Sequence, residues 1–292
     1  MNIKKIVPIV IFASLILFMI FNNNKNIDNI NFKNKNEKIV SIGGSITETI
    51  FELGLGNLVI AVDQSSTLPS IVKELPQVGY IRNISSEGVL SMMPTRVITN
   101  TDIGPEVAVN EIKSSGIKMK IYDAPKNLDD LKKNIIEIAS EFDVEKNAKE
   151  LINNIEETKN LIDKNISIND KKIKMVFIMN PSNSSYTVAG SNTTADYLIN
   201  ILGGENIFSE NFSFYRSINK EELIKNNPDV ILIATHYDSL EAVNHFKKNL
   251  EFKNFKSIVK DNIISMPLSN LTMGPSFISN AYNTYLRINF ND

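Results

Sequence analysis

From Lys38 onward, short apolar runs rich in β-branched residues alternate with longer segments in which apolar residues recur at helical spacing. The first group predicts strands at residues 39–42, 58–62, 96–99 and 118–122, and helices at 86–92 and 105–115. The second group predicts strands at residues 173–179, 230–234 and 263–266, and helices at 194–202, 219–226 and from 276 onward. Strands that alternate with helices are typical of parallel sheets, so the pattern predicts an α/β fold with two lobes, at residues 38–127 and 169–292.

Between the two groups, residues 128–168 contain no glycine and show no strand pattern, while leucine, isoleucine and alanine recur at helical spacing. This predicts one long bridging helix, either continuous or broken near Asp143. A continuous helix of about 38 residues would reach about 55 Å, which is enough to connect two lobes. Because ligands of open α/β sheets bind beyond the carboxyl ends of the strands, we expect the binding site in the cleft between the lobes.

The first predicted strand is followed by Gly43 and Gly44 and then by a predicted helix start. Ser45 is predicted to cap this helix, with Glu48 three residues further on as the partner in a capping box. A helix start presents backbone N–H groups that attract negatively charged ligand groups. Ser45 and Thr47 are therefore candidates for contact with a carboxylate of the ligand, although capping explains Ser45 equally well.

The N-terminus has the layout of an export signal, because lysines at positions 4 and 5 precede an apolar run that ends at Phe21. This run is shorter than the roughly 20 residues of a membrane-spanning helix, which favours a signal peptide at residues 1–21. Bulky residues before Asn22 are unfavourable for a signal peptidase, so an uncleaved N-terminal anchor is the alternative. Residues 22–37 are rich in Asn and Lys and are predicted to be a disordered linker. We expect the protein to act in the periplasm.

Composition narrows the classes of function. The chain has no cysteine, which excludes disulfides, thiolate metal sites and a lipid-modified cysteine. Its formal net charge of -2 gives no electrostatic reason for binding nucleic acid. With two histidines and none of the common motifs of hydrolases, nucleotide-binding enzymes or metalloproteases, the chain is not expected to be an enzyme.

Four segments together resemble one known family. Residues 78–90 read VGYIRNISSEGVL, and the others read IVSIGGSITE at 39–48, AGSNTTAD at 189–196 and YRSINKEEL at 215–223. In this order they resemble the periplasmic heme-binding proteins of bacterial heme-uptake ABC transporters. The resemblance covers essentially the whole chain after the linker. It implies a class III periplasmic binding protein, in which two Rossmann-like lobes joined by one long helix move little.

The resemblance assigns the central roles of the site to Tyr80 and Arg82. In that family the tyrosine of the G-Y-x-R motif ligates ferric heme iron, and the arginine two residues later supports the phenolate. The chemistry is consistent with this, because ferric iron favours an anionic oxygen ligand and arginine is a permanent cation. Without the longer match, Tyr80 would be interpreted as a packing residue and Arg82 as an ordinary surface charge.

The same resemblance suggests where the rest of the heme would lie. Some members supply a second-lobe histidine that is absent here, so His236, after the predicted strand at 230–234, is a substitute iron ligand, with a solvated loop residue as the alternative. Met273 replaces a family aromatic residue before Gly274, and both are expected at the porphyrin edge. Tyr215 is a candidate aromatic wall, and Arg216 is a candidate partner of a heme propionate.

Glu87 and Glu221 match the surface glutamates with which binding proteins of this superfamily dock onto permease arginines. Exposed carboxylates in first helical turns also complement the helix dipole, which is a purely structural alternative. Because one exposed ion pair contributes only ~0–1 kcal/mol, docking would need both lobes. The resemblance thus implies a monomeric, non-enzymatic subunit that carries heme as a transported ligand to an ABC permease. A ferric siderophore or cobalamin on the same scaffold is the alternative ligand.

Overall fold

In the computed structural model, four parallel strands form a first sheet in the order β2, β1, β5, β6. The structure describes residues 36–166, 172–179, 181, 186–235, 240–248 and 252–290. The four strands are β1 (Ile39–Ser41), β2 (Val59–Val62), β5 (Arg96–Asn100) and β6 (Lys118–Tyr122). Their apolar runs predicted all four, with bounds that differ by one residue at most. β1 is completely buried, as expected for a central strand that is covered on both faces.

Three helices and a short hairpin accompany this sheet. The helices are α1 (Gly44–Glu52), α2 (Ser86–Ser91) and α3 (Glu106–Ser114). The hairpin consists of β3 (Gly79–Tyr80) and β4 (Asn83–Ile84), which pair antiparallel. The hairpin was not predicted, because two-residue strands are too short to show alternation in the sequence.

The segment predicted as a bridging helix consists of two helices, α4 (Leu128–Glu141) and α5 (Glu145–Ile166). The break near Asp143 is confirmed, since this residue has a left-handed φ of 57° that no helix accommodates. The chain reverses here, and Lys132 of α4 lies 3.4 Å from Glu156 of α5. The alternative of one continuous helix over 128–168 is therefore wrong.

Of these two helices, α5 carries the chain from the first group of elements to the second. Near its start, the Asn147 side chain donates a hydrogen bond to the Leu53 carbonyl, beside the first sheet, at 2.9 Å. At its end, Ile166 packs against Gly203, which belongs to the second group. With 22 residues, α5 is about 33 Å long. This is shorter than the continuous helix of the prediction but sufficient to connect both groups.

The second sheet contains six strands and is mixed, in the order β10, β8, β7, β11, β12, with β9 also pairing with β7. Its strands are β7 (Ile173–Met179), β8 (Tyr186–Ala189), β9 (Gly204–Asn206), β10 (Tyr215–Ile218), β11 (Val230–Thr235) and β12 (Ile263–Pro267). The predicted β7, β11 and β12 are parallel to one another, with β7 and β11 inside the sheet and β12 at its edge. β8 and β10 were not predicted, and they run antiparallel at one edge.

Five helices belong to the second group. They are α6 (Thr194–Ile201), α7 (Lys220–Asn226), α8 (Leu240–Lys248), α9 (Lys256–Val259) and α10 (Phe277–Tyr285). A buried cluster of side chains, including Phe208, Phe246 and Phe252, packs beside the sheet. Lys38–Asp292 form one compact unit. The predicted signal segment lies outside the described residues, and none of the described helices is long and apolar enough to cross a membrane.

A buried carboxylate joins the two groups of elements. Glu48 of α1 is 3% exposed, and its Oε1 accepts a hydrogen bond from the Ser276 backbone N–H at 2.5 Å. Oε2 has no hydrogen-bond partner among the described residues, and a Cβ on Gly274 would overlap it. Burial raises the pKa of Glu48 from 4.5 to about 7, although the Ser276 hydrogen bond lowers it in part.

This pKa shift predicts a pH-dependent stability that Glu48→Gln removes. The folded protein holds the Glu48 proton more tightly than the unfolded chain, so the resulting stability is complete below pH 4.5 and lost as the pH rises to about 7. We expect the free energy of unfolding of the wild type to fall relative to Glu48→Gln by on the order of 3 kcal/mol across this range. Urea unfolding at several pH values measures the difference.

Glu157→Gln, at an exposed position of α5, is the control. Its free energy of unfolding should change with pH in the same way as that of the wild type. A difference between wild type and Glu48→Gln that does not change with pH would contradict the assignment of this titration to Glu48.

Candidate functional site

The candidate site is built at the carboxyl ends of the parallel strands of the first sheet. Gly43 follows β1, Asp63 follows β2, and Asn100 ends β5. Asp63 and Asn100 are buried, so polar side chains occupy an edge where the ladder hydrogen bonds of the strands end. Residues after β2 then lead into the hairpin of β3 and β4, which carries Tyr80 and Arg82.

The hairpin directs alternate side chains to opposite sides. Tyr80 is 45% exposed and Arg82 is also exposed, whereas Ile81 between them is buried against Gly43. Ile81 and Arg82 are the two turn residues between β3 and β4, and the turn places Ile81 inside while Tyr80 before it and Arg82 after it stay exposed. The structure therefore presents Tyr80 and Arg82 to a ligand together.

Backbone hydrogen bonds hold the hairpin from both sides. The Gln64 N–H donates to the Gly79 carbonyl at 2.8 Å, and the Gly104 N–H donates to the Ile81 carbonyl at 2.9 Å. The Ile84 N–H in turn donates to the Gly104 carbonyl at 2.8 Å. The loops after β2 and β5 thus restrain a hairpin that is too short to be stable alone.

Arg82 forms an ion pair with Asp102, with 4.0 Å between Nη2 and Oδ1. Both side chains are at least half exposed, so this pair contributes little stability and leaves the guanidinium free to reorient. Within the part of the chain that the structure describes, no hydrogen bond joins Arg82 to the Tyr80 hydroxyl. The predicted support of a phenolate by Arg82 therefore requires a movement of its side chain.

The structure corrects the predictions for Ser45 and Thr47. The helix α1 starts at Gly44, so Ser45 is not its cap, and the Gly43 and Gly44 N–H groups donate to Asp63 Oδ1 at 2.7 Å and Ser65 Oγ at 3.2 Å. Thr47 is completely buried and is hydrogen-bonded to Ser41 and Ser66. The hydroxyls of Ser45 and Thr47 therefore take part in a buried hydrogen-bond network of short polar side chains.

The predictions for Met273 and Gly274 are corrected in the same way. Met273 is only 5% exposed, and Gly274 lies directly against the Glu48 carboxylate. The neighbouring Thr272 methyl group would lie 3.1 Å from a Cβ on Gly44. This segment therefore packs onto α1 and closes the contact between the two groups, rather than forming an open edge for a ligand.

Tyr215 and Arg216 lie on β10, the edge strand of the second sheet. Tyr215 is 39% exposed, and its ring makes an edge contact with Phe177 at 6.5 Å between centroids. Burial raises the pKa of the Tyr215 hydroxyl. The Arg216 guanidinium lies 5.6 Å from the ring centroid of Phe212. Both are exposed, and their roles as aromatic wall and anion partner stay predictions.

Phe214, which the sequence analysis did not select, adds a second accessible aromatic ring. It is 66% exposed and has a left-handed φ of 66°, which is unusual for a bulky residue. Two hydrogen bonds of 2.8 Å hold this conformation, from the Gly190 N–H to its carbonyl and from its N–H to the Ser191 carbonyl. Backbone strain of this kind is common at ligand-binding surfaces, but nothing in the local sequence predicts it.

Glu87 and Glu221 occupy equivalent local positions. Each is exposed and is the second residue of a short helix that follows a strand. The Ser85 side chain caps α2 by accepting from the Gly88 N–H, and the Asn219 side chain caps α7 by accepting from the Glu222 N–H. Both carboxylates thus lie at helix starts, and neither has a hydrogen-bond or ion-pair partner among the described residues.

His236 falls outside the described residues, so its role as an iron ligand stays a prediction.

A groove of about 250 Å³ opens between α4 and α5, and it is lined by Leu128, Lys132, Ile155, Glu156, Lys159 and Asn160. This groove shares no residue with the candidate site.

The chain forms two larger sheets with accompanying helices, and α5 connects them along the sequence. Polar groups lie at the strand ends, and aromatic side chains are accessible. These features together are typical of a bilobed binding protein. The chain belongs to the periplasmic binding protein family, whose sequence model matches residues 39–269. The high-affinity heme uptake system protein IsdE of Staphylococcus aureus (strain MRSA252) is 29% identical over 233 residues, which are 78% of each chain.

Solved structures agree with this assignment. The apo form of the periplasmic heme-binding protein RhuT from Roseiflexus sp. RS-1 is 28% identical, has a TM-score of 0.77, and the match covers 86% of this chain and 97% of that one. The periplasmic heme-binding protein HutB of Vibrio cholerae is also 28% identical, with a TM-score of 0.74 and coverage of 86% and 98%. The class III fold predicted from the resemblance is thereby confirmed.

Gly79→Ala is predicted to destabilise the hairpin. Gly79 has a φ of +115°, which an alanine adopts only with strain, and its Cβ would lie 3.3 Å from the Asn83 oxygen and the Ser85 nitrogen. We expect a loss of about 1–3 kcal/mol in the free energy of unfolding, measured by urea denaturation. Gly104→Ala in the adjacent loop is the control, since its Cβ would meet only ordinary contacts. Equal losses in both variants would contradict the strain argument.

Proposed function

We propose that this protein binds heme outside the cytoplasmic membrane and delivers it to an ABC importer. The observation that carries the proposal is the hairpin on which Tyr80 and Arg82 are both exposed while Ile81 anchors them from the interior. The relatives named above, at 28–29% identity over most of the chain, are heme-binding or heme-uptake proteins, which supports the same ligand. The protein would act by binding and release, without catalysing a reaction.

Tyr80 would bind the ferric iron through its phenolate oxygen. Ferric iron favours anionic oxygen ligands, and tyrosinate is an established axial ligand of heme. Arg82 would leave Asp102 and stabilise the phenolate, an exchange of one exposed anionic partner for another that costs little. The Tyr80 side chain is exposed, which would leave space for a planar ligand to approach it.

The second sheet would contribute the remaining contacts. Phe214 and Tyr215 offer aromatic surface for a porphyrin, and Arg216 offers a guanidinium for a propionate. His236 follows β11, whose carboxyl end is the usual position for ligand-binding loops, and remains the candidate for a second iron ligand. These positions replace Ser45, Thr47, Met273 and Gly274 as the proposed heme contacts.

Glu87 and Glu221 would form the docking surface for the permease. They lie in corresponding first turns of α2 and α7, one near each sheet, so two copies of the same local arrangement are available. Arginines of a permease would pair with both carboxylates at once, which makes the second contact effectively intramolecular. Residues 1–21 would serve for export, either as a cleaved signal or as an anchor, and the protein would act as a monomer.

Hemin titration of wild type and Tyr80→Phe tests the heme assignment. We expect the wild type to bind hemin saturably with a ferric tyrosinate absorption spectrum, and Tyr80→Phe to lose that spectrum because it lacks the ligand oxygen. Tyr282→Phe, on α10, is the control and should retain the wild-type spectrum. If the wild type does not bind hemin saturably, heme is the wrong ligand and siderophores or cobalamin become the alternatives. If Tyr80→Phe binds unchanged, Tyr80 is not the ligand.

Substitution of both docking glutamates is predicted to impair heme uptake without weakening heme binding. We expect Glu87→Ala and Glu221→Ala each to lower heme uptake less than about fivefold, and the double variant to lower it more than tenfold. Hemin affinity of the purified double variant should equal that of the wild type. Uptake is measured in cells that contain the cognate permease, with Glu106→Ala, in the first turn of α3, as the control. Unimpaired uptake by the double variant would refute the docking surface.

A further inference from the structure

The carboxylate of Asp63 accepts four hydrogen bonds although its side chain is completely buried. Oδ1 accepts from the Gly43 N–H and the Ser66 hydroxyl, both at 2.7 Å. Oδ2 accepts from the Ser65 N–H at 2.9 Å and the Ile81 N–H at 3.1 Å. One buried anion therefore joins the start of α1, its own loop and the hairpin.

The bond to Ile81 acts at the residue between the two proposed heme-binding side chains. Ile81 is the first of the two turn residues of the hairpin and adjoins both Tyr80 and Arg82, so a restraint on its backbone limits the directions that the two neighbouring side chains can take. The Ile81 side chain adds a second restraint, since its Cδ1 would lie 3.0 Å from a Cβ on Gly43. Asp63 also accepts a hydrogen bond from the Gly43 N–H, so it positions both residues of the contact between Gly43 and Ile81.

The charge of Asp63 suits this arrangement and a neutral side chain does not. An ionised carboxylate offers acceptor positions on both oxygens, whereas an asparagine amide offers them on one. Three of the four donors are backbone N–H groups, which cannot reverse and become acceptors. In Asp63→Asn, the amide group would therefore face at least one N–H that has lost its acceptor, whichever way the side chain is oriented.

We propose that Asp63 is a positioning residue for heme, whose buried carboxylate holds the Tyr80 hairpin in the geometry that binds iron. This inference rests on the proposed function, because it assigns Asp63 a role at the same site. It predicts that the geometry of Tyr80 is sensitive to a residue that never touches the ligand, because the carboxylate acts through the Ile81 backbone.

The experiment compares the wild type, Asp63→Asn and Ser66→Ala. Ser66→Ala removes one hydrogen bond to Oδ1 and leaves the bond to Ile81, so it reports the structural cost of disturbing the network. We expect Asp63→Asn to bind hemin at least about tenfold more weakly with an altered ferric spectrum. Ser66→Ala should be less stable but should keep the wild-type spectrum and an affinity within about twofold. A wild-type spectrum and affinity in Asp63→Asn would overturn the inference, as would equal losses in both variants.

Hydrogen exchange of residues 79–84 separates this inference from the heme assignment, because it requires no ligand. We expect Asp63→Asn to exchange these amides at least about tenfold faster than the wild type, with Ser66→Ala close to the wild type. If the wild type binds no hemin but exchange accelerates, the proposed function fails and the control of the hairpin by Asp63 stands. If exchange is unchanged, Asp63 does not position the hairpin.

A backbone ester at position 81 serves if Asp63→Asn does not fold. It removes only the N–H that donates to Asp63 Oδ2 and leaves the other three hydrogen bonds intact. We expect the same altered ferric spectrum and faster exchange in this variant. A folded ester variant with the spectrum and exchange of the wild type would overturn the inference.

Discussion

The buried carboxylate of Asp63 is the constraint on which the candidate site depends. Its hydrogen bonds reach the Gly43 and Ile81 N–H groups, which belong to separate segments of the chain. An unsatisfied buried carboxylate is costly, so these segments have to converge wherever this side chain is buried. The start of α1, the loop after β2 and the hairpin are consequently one unit, and the exposure of Tyr80 is a property of that unit.

A second buried carboxylate connects this unit to the rest of the molecule. Glu48 lies one helical turn beyond the start of α1 and accepts a hydrogen bond from the Ser276 N–H. Together with α5, this contact ties the first sheet to the elements of the second sheet. The two buried carboxylates differ in chemistry, because Asp63 has donors on both oxygens whereas Glu48 Oε2 has none among the described residues. One organises the site, and the other makes the contact between the two groups sensitive to pH.

Sequence reasoning failed where polar side chains act in the interior. Ser45 and Thr47 follow a glycine turn in the pattern of a ligand-binding helix start, yet Asp63 and Ser65 occupy the first N–H groups of α1. Met273 and Gly274 were expected at the porphyrin edge, but Met273 is buried and Gly274 lies against Glu48. The position of Asp63 directly after a predicted parallel strand was a usable signal, because such strand ends line binding sites. Phe214 had no comparable signal.

Local pattern by itself determined the strands of the first sheet, the strands β7, β11 and β12 of the second and most of the helices, because these depend on periodicity along the chain. It also indicated a break near Asp143. Only the tertiary structure decided that the chain reverses there, that β8 and β10 pair antiparallel, and which polar residues face inward. These features depend on contacts between residues distant in sequence, whose burial and hydrogen-bond partners no local pattern encodes.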